Sequence, residues 1–173
     1  MPSPVGHALG GLIVHVACAD RRDLQDWPRI ALVAAAACAP DLDLLLRYAI
    51  GGQSHRAQSH SLGLALAAGI IVAAVSRLRH WPRSLALGLL VTLGFTSHVV
   101  LDLFGSDTHP PLGLMALWPW SQTYFKAPVV LFLDIGRTLR LSTVWQNAVA
   151  AAWEAVLLLP ILLAVTRLRR RKS

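Results

Sequence analysis

Residues 85–104 read LALGLLVTLGFTSHVVLDLF, and this one stretch carries the strongest signals for the fold and for a functional site. An α-helix that crosses the hydrocarbon layer of a bilayer needs about 20 mostly apolar residues, which is the length of this run. Near its end stand His98 and Asp102, four positions apart and therefore on one face of the helix. The stretch predicts a membrane helix that presents an imidazole and a carboxylate to its neighbours.

Further apolar runs lie on both sides of this stretch. They cover residues 7–19, 30–50, 61–78 and 144–165. The first of them is too short to cross a bilayer unless the membrane thins or one end is recessed, because a full span needs about 20 residues. Pro40 interrupts the second run, and a proline inside a helix breaks it locally.

The region between the fourth and the last run has a different composition. Residues 105–127 are rich in proline and contain Trp118 and Trp120, which are typical of a loop anchored at a membrane interface. Residues 128–141 are apolar but charged at several positions, which favours an interfacial or re-entrant helix. We therefore predict an all-α, polytopic membrane helix bundle with about five membrane helices and one interfacial helix.

The composition supports a membrane protein of one domain, residues 1–173. The chain is 55% hydrophobic and 14% charged, whereas soluble domains carry about 25% charged residues. Its net charge of +7 comes from Lys and Arg clusters between the apolar runs and from a basic tail at residues 167–173. Because such clusters are typical of membrane-helix flanks, we expect no nucleic-acid partner. Cys18 and Cys38 show neither a metal-type spacing nor a disulfide framework.

The basic clusters also predict an orientation. Cytoplasmic loops of membrane proteins carry an excess of Lys and Arg. Placing residues 20–29, residues 77–83 and the tail in the cytoplasm puts most of the sixteen Lys and Arg residues on that side. The N-terminus then lies outside and the C-terminus inside.

The polar residues within or beside the apolar runs all fall toward the opposite, non-cytoplasmic side of this topology. They are His7, Asp41, Asp43, His55, His60, His98, Asp102, Asp107 and His109. Since the topology rests on Lys and Arg alone, this convergence is an independent observation. At a rise of about 1.5 Å per residue, the histidines and aspartates of the runs lie roughly 18–28 Å from the cytoplasmic charges, so they can meet in the outer half of the bundle.

Metal binding explains such a meeting, because a carboxylate in a membrane must be paired, protonated or bound to a cation. Neutral imidazole and carboxylate are ligands of zinc and similar ions. The alternatives are ordinary: His98 and Asp102 form a hydrogen-bonded pair, and Asp41 and Asp43 cap a helix segment. In the same alternative, Ser59 caps the third helix, and His60 lies in the first turn of that helix without a role in a site.

Four motifs in fixed order resemble the YdjM-like family of bacterial membrane-bound, metal-dependent hydrolases. They are Pro40-Asp41-Leu42-Asp43, His55-Arg56-Ala57-Gln58-Ser59-His60-Ser61, Ser97-His98-Val99-Val100-Leu101-Asp102 and Leu117-Trp118-Pro119. The resemblance covers about residues 5–121, which would form the metal-site core before the C-terminal helix at 144–166, and His7 fits the family's N-terminal histidine. Ala57 stands where the family usually has glycine. The family implies a multi-pass protein of the bacterial inner membrane.

That family is similar, more remotely, to zinc-dependent phospholipases C. The similarity implies His7, Asp41, His55, His98 and Asp102 as metal ligands, with Asp107 and His109 as possible additional ones. The choice between Asp41 and Asp43 as first ligand stays open. Those enzymes also have a later His-x-x-x-Glu, and Glu154 here has no such histidine, so one or two ions are expected rather than three.

The resemblance implies hydrolysis by a metal-activated water, with zinc as the expected ion and manganese as the alternative. Asp43 or His60 would be the general base, and Arg56 would hold a phosphate oxygen. A site recessed in the outer half of the bundle indicates a phosphoester or lipid-linked substrate drawn from the membrane lipids. The alternatives are a non-catalytic metal-binding or ion-transporting protein, and a structural protein whose polar residues join helices.

Overall fold

The computed structural model describes residues 1–44, 56–107, 110–136, 138 and 140–171. In this part of the chain it is all-helical, with five α-helices and no β-strand. The helices are α1 (Pro4–Cys18), α2 (Trp27–Cys38), α3 (Leu62–Leu78), α4 (Ser84–Leu103) and α5 (Leu141–Arg171).

Two of the described helices, α4 with 20 residues and α5 with 31, are long and apolar enough to cross a membrane. Helices α1 and α3 are apolar but shorter. The all-helical class is thus confirmed for the described residues, while the number of about five membrane helices stays a prediction.

The predicted interfacial helix is wrong where residues 128–136 are described. That segment is irregular and pairs its backbone with the end of α4. The N–H groups of Leu131 and Phe132 both donate to the carbonyl of Phe104, at 2.9 and 3.2 Å, and Ser106 N–H donates back to the carbonyl of Phe132 at 3.0 Å. Because these backbone groups bond to a neighbouring segment, they are not available for helical hydrogen bonds.

Polar side chains and prolines place the helix ends. The Ser3 hydroxyl accepts from the N–H groups of Val5 and Gly6 at the start of α1, and Asp26 caps α2. Pro40 ends α2 in a short 3₁₀ turn, Ala39–Asp41. Such caps satisfy backbone groups that helix termini leave without partners.

The cap of α3 differs from the prediction. Ser61, not Ser59, caps the helix, through a hydrogen bond from Leu64 N–H to the Ser61 hydroxyl at 3.2 Å. His60 therefore lies in a separate 3₁₀ turn, Gln58–His60, where the helix does not dictate its direction.

Helix α1 packs against α2, α4 and α5, and helix α4 packs against α1, α2 and α3. Helices α1 and α5 run parallel, since Ser3 contacts Glu154 and the last turn of α5 reaches the carbonyl of Ala19 through Arg169. The polar cluster described below lies toward the start of α1, and the arginine-rich end of α5 lies at the opposite end of the bundle.

A network of arginines and aspartates closes that opposite end. The Arg29 guanidinium donates to Asp23 at 2.8 Å and to the carbonyl of Pro82 at 2.9 Å, and Arg83 also pairs with Asp23. These contacts join the loop after α1 to the loop before α4. Two cations on one buried carboxylate leave it neutralised without any further ligand.

The α3–α4 contact depends on glycine. A Cβ atom at Gly69 would lie 1.9 Å from Thr92 Oγ1 and 2.6 Å from the carbonyl oxygen of Gly88. Since the second of these atoms is backbone, the helices would have to separate to admit a side chain. The two helices therefore approach each other through small residues, as is usual in membrane bundles.

We expect Gly69→Val to lower the free energy of unfolding by about 1–3 kcal/mol, the usual cost of overpacking. The measurement is the melting temperature of the purified protein in detergent. Leu66→Val, on an exposed part of the same helix, is the control and should change it little. Equal melting temperatures for Gly69→Val and wild type would contradict the close contact.

Candidate metal centre

Five polar side chains from four parts of the chain converge at one end of the bundle. His7 comes from α1, Asp41 from the turn after α2, His60 from the turn before α3, and His98 and Asp102 from α4. The three histidine side chains are fully buried, Asp102 is 1% exposed and Asp41 is 16% exposed. The cluster therefore lies inside the protein, and of its five side chains Asp41 is the most accessible to solvent.

The histidine nitrogens face the carboxylate oxygens at similar distances. From Asp102, Oδ2 lies 3.4 Å from Nε2 of both His98 and His60, and Oδ1 lies 3.5 Å from Nε2 of His7. From Asp41, Oδ1 lies 3.5 Å from Nε2 of His60 and 3.7 Å from Nε2 of His98. Its other oxygen, Oδ2, lies 3.8 Å from Nε2 of His7.

These separations fit a shared metal ion better than direct hydrogen bonds. N–H···O bonds are about 2.7–3.2 Å long, whereas atoms about 2.0–2.1 Å from one tetrahedral zinc ion lie about 3.3 Å from each other. Both oxygens of Asp102, Oδ1 of Asp41 and the Nε2 atoms of His7 and His98 are buried without a hydrogen-bond partner among the described residues. Buried polar atoms usually have a hydrogen-bond partner, so these nitrogen and oxygen atoms fit the ligand set of a bound cation.

Two overlapping groups of candidate ligand atoms are close enough together to hold a metal ion. The first joins His7, His98 and Asp102, and the second joins Asp41, His60 and His98. Within each group, one candidate ligand atom per residue lies within 4.8 Å of the others. The predicted pairing of His98 and Asp102 on one helical face is thus part of a larger cluster.

Neighbouring groups orient the imidazoles. Nδ1 of His98 donates to the carbonyl of Ala37 at 2.7 Å, and because a carbonyl can only accept, the neutral form of His98 has its lone pair on Nε2, toward the cluster. Nδ1 of His60 lies 3.0 Å from the Ser59 hydroxyl, which donates to Asp43 at 2.5 Å. Such outer contacts are what hold metal-binding histidines in place.

The two residues in the turns have shifted acidities. Burial lowers the pKa of His60, which favours the neutral imidazole that binds metal ions. Burial acts to raise the pKa of Asp41, but His60, His98 and His7 around it outweigh burial and lower that pKa. Both residues are therefore in ligand-competent forms at neutral pH.

Arg56 and Asp107 lie together, outside both candidate ligand groups. The Arg56 guanidinium pairs with one oxygen of Asp107, and the other oxygen accepts from Gly113 N–H at 2.7 Å. His55 and His109, which were also predicted as ligands, lie outside the described residues. Asp41 faces the cluster, whereas Asp43 contacts Ser59 and the outer nitrogen of His60.

Glu154 in α5 supports the site from outside it, and the sequence reasoning set this residue aside. It is fully buried and accepts hydrogen bonds from Ser3 N–H at 2.7 Å, from Gly6 N–H at 3.0 Å and from the Ser3 hydroxyl. A carboxylate there suits the positive end of the α1 dipole, and it holds the helix turn that carries His7. The sequence signal that could have found it is a glutamate in the middle of an apolar run, because a carboxylate in such a place needs a partner.

The fold and the cluster define a class: a small helical protein with two described helices long and apolar enough to cross a membrane, and with a buried centre of histidine and aspartate. The chain matches the profile of the YdjM inner membrane protein family over residues 1–172 and belongs to that family. The match includes α5, which lies beyond the region of the sequence resemblance. No curated protein and no solved structure matches the chain, so the similarity to zinc-dependent phospholipases C stays a prediction.

We expect Glu154→Ala to destabilise the protein by about 1–3 kcal/mol, because it leaves buried N–H groups of Ser3 and Gly6 without an acceptor. Thermal unfolding in detergent measures this. Glu154→Gln keeps one carbonyl oxygen and should fall between Glu154→Ala and wild type. A Glu154→Ala protein as stable as wild type would contradict the role of this contact.

Proposed function

We propose that the protein is a membrane-bound, metal-dependent hydrolase that cleaves a phosphoester or lipid-linked substrate with a metal-activated water. The observation that carries the proposal is the set of buried, partnerless carboxylate oxygens of Asp102 facing the Nε2 atoms of three histidines. Neutral imidazoles do not neutralise a carboxylate, and a divalent cation does.

The directions of the carboxylate oxygens support two ions rather than one. Asp41 and Asp102 each turn one oxygen toward His7 and the other toward His60 and His98. Asp41, Asp102, His60 and His98 would hold one ion, and the same two carboxylates with His7 would hold a second. Zinc suits these nitrogen and oxygen ligands, with manganese as the alternative.

The chemistry follows from the neighbours of the cluster. Bound there, such ions would lower the pKa of a water molecule and polarise a phosphoryl oxygen. Since Nε2 of His60 faces the carboxylates, His60 is a ligand in this proposal and Asp43 takes the role of general base. Arg56, held by Asp107, would contact a phosphate oxygen of the substrate.

The depth of the cluster supports a lipid-linked substrate. Glu154 contacts the start of α1 and lies at the middle of the apolar run at residues 144–165, so about 15 Å of helix separates it from either end of that run. The basic residues lie at the far end of the bundle. By the positive-inside rule we place that end and the C-terminus in the cytoplasm and the site toward the other side of a multi-pass protein.

The packing below the cluster favours a closed site over an ion path, the main alternative. Val33 and Leu90 are buried in one apolar cluster with Ala19, whose carbonyl contacts Arg169 at the basic end. At that end, Asp23 is held by Arg29 and Arg83, and His15 contacts the Asp23 carbonyl at 3.2 Å. An ion path would need polar groups along this route.

We expect the purified protein to contain stoichiometric zinc or manganese, and His98→Ala and Asp102→Asn to lose it, because each removes a ligand shared by the cluster. Elemental analysis of detergent-purified protein measures this. His15→Gln changes another buried histidine, two turns after His7 on α1, and should keep the metal. A stable, metal-free wild type would rule out the metal-dependent reading.

We expect Asp43→Asn to lower kcat by about 10²–10⁴-fold when it is assayed at saturating metal, the usual contribution of a general base. Because Asp43 also contacts the outer nitrogen of His60, we expect the metal affinity to fall by about 10–100-fold at most. The assay compares phospholipids, lipid-linked phosphates and soluble phosphodiesters as substrates of the metal-loaded protein. Asp102→Asn should lose both activity and metal. Full activity of Asp43→Asn would remove it from the mechanism, and cleavage of soluble esters alone would refute the lipid-linked substrate.

A further inference from the structure

A groove of about 410 Å³ lies at the basic end of the bundle, far from the histidine cluster. It runs between the end of α1 with its following loop and the last turns of α5. Val16 and Leu24 provide an apolar floor, and the rim includes Arg21, Arg22, Arg169 and Arg170. The groove thus combines four arginines with apolar surface in a volume typical of small-ligand sites.

The acids closest in sequence to this groove do not line it, because they are engaged elsewhere. Asp23 pairs with Arg29 and Arg83, Asp26 pairs with Arg29 at 2.9 Å, and Asp20 lies 3.3 Å from Arg83. No carboxylate is among the residues that line the groove in the described part of the chain. The exposed guanidinium groups of Arg21 and Arg22 therefore give the groove a positive field that an anion would neutralise.

The groove is also held in shape by the fold. The Arg169 guanidinium donates to the carbonyl of Ala19, which fixes the last turn of α5 against the end of α1. Arg21 and Arg22 lie on a short 3₁₀ turn on the facing side. Leu163, which lies about one turn before Thr166 and two turns before Arg170 on the same face of α5, is 55% exposed, so an acyl chain of a lipid can lie against it.

We propose that this groove binds the headgroup of an anionic phospholipid. Guanidinium groups match the geometry of phosphate oxygens, the apolar floor suits the glycerol ester region, and the exposed Leu163 of α5 suits an acyl chain. Basic pockets at helix ends on one side of a membrane protein are a recurring form of lipid recognition. The lipid would bridge α1 and α5, the two helices that Glu154 joins at the other end.

The test is the melting temperature of the full chain in a neutral detergent with added phosphatidylglycerol or phosphatidylcholine at equal mole fractions. We expect phosphatidylglycerol to raise the melting temperature by about 3 °C or more and phosphatidylcholine to change it little. Arg21→Gln/Arg22→Gln should lose this shift. Both arginines are exposed, so the double variant should fold. Native mass spectrometry then compares the lipid bound by each protein.

The matched control is Arg77→Gln/Arg79→Gln, which removes the same charge from the C-terminal end of α3 and not from the groove. It should keep the full shift with phosphatidylglycerol. An equal loss in both double variants would show attraction to a basic face without a site and would overturn the proposal. So would a wild type that does not distinguish the two lipids, or one that glycerol 3-phosphate alone stabilises equally.

Discussion

The burial of Asp102 is the constraint on which the rest of the structure depends. Its carboxylate is surrounded by three imidazoles, and neither oxygen has a hydrogen-bond partner among the described residues. An isolated charge in an apolar interior costs several kcal/mol, so the position is stable only if something cationic balances it. Helices α1 and α4 and the turns beside α2 and α3 each bring one or more of the groups that meet there.

The two ends of the bundle solve the same electrostatic problem differently. At the basic end, Asp23 is paired with two arginines, which are always charged and therefore neutralise it without a ligand. At the other end, Asp102 and Asp41 face histidines, which in their neutral form offer lone pairs and no charge. The choice of histidine over arginine is what makes one end a structural clamp and the other a candidate metal centre.

Helix α5 shows how a distant segment supports the site without entering it. Glu154 caps α1 through Ser3 and Gly6, in the turn that leads to His7. A side chain at Gly6 would lie 2.6 Å from the Glu154 carboxylate, so the contact requires glycine there. Removal of α5 would therefore free the turn that carries His7, which is consistent with a family match that extends over nearly the whole chain.

Much of this protein can be predicted from its sequence, because local rules decide it: the length of α4, the shared face of His98 and Asp102, and the break at Pro40. The same rules failed at residues 128–136, at the Ser61 cap and at Glu154. The helix that Glu154 caps is about 150 residues away in the chain. The hydrogen-bond partners of Glu154, and the presence of Asp41 and His60 in the cluster, depend on how the helices rotate and pack against each other. Periodicity determines which face of a helix is apolar, and only tertiary packing decides what that face meets.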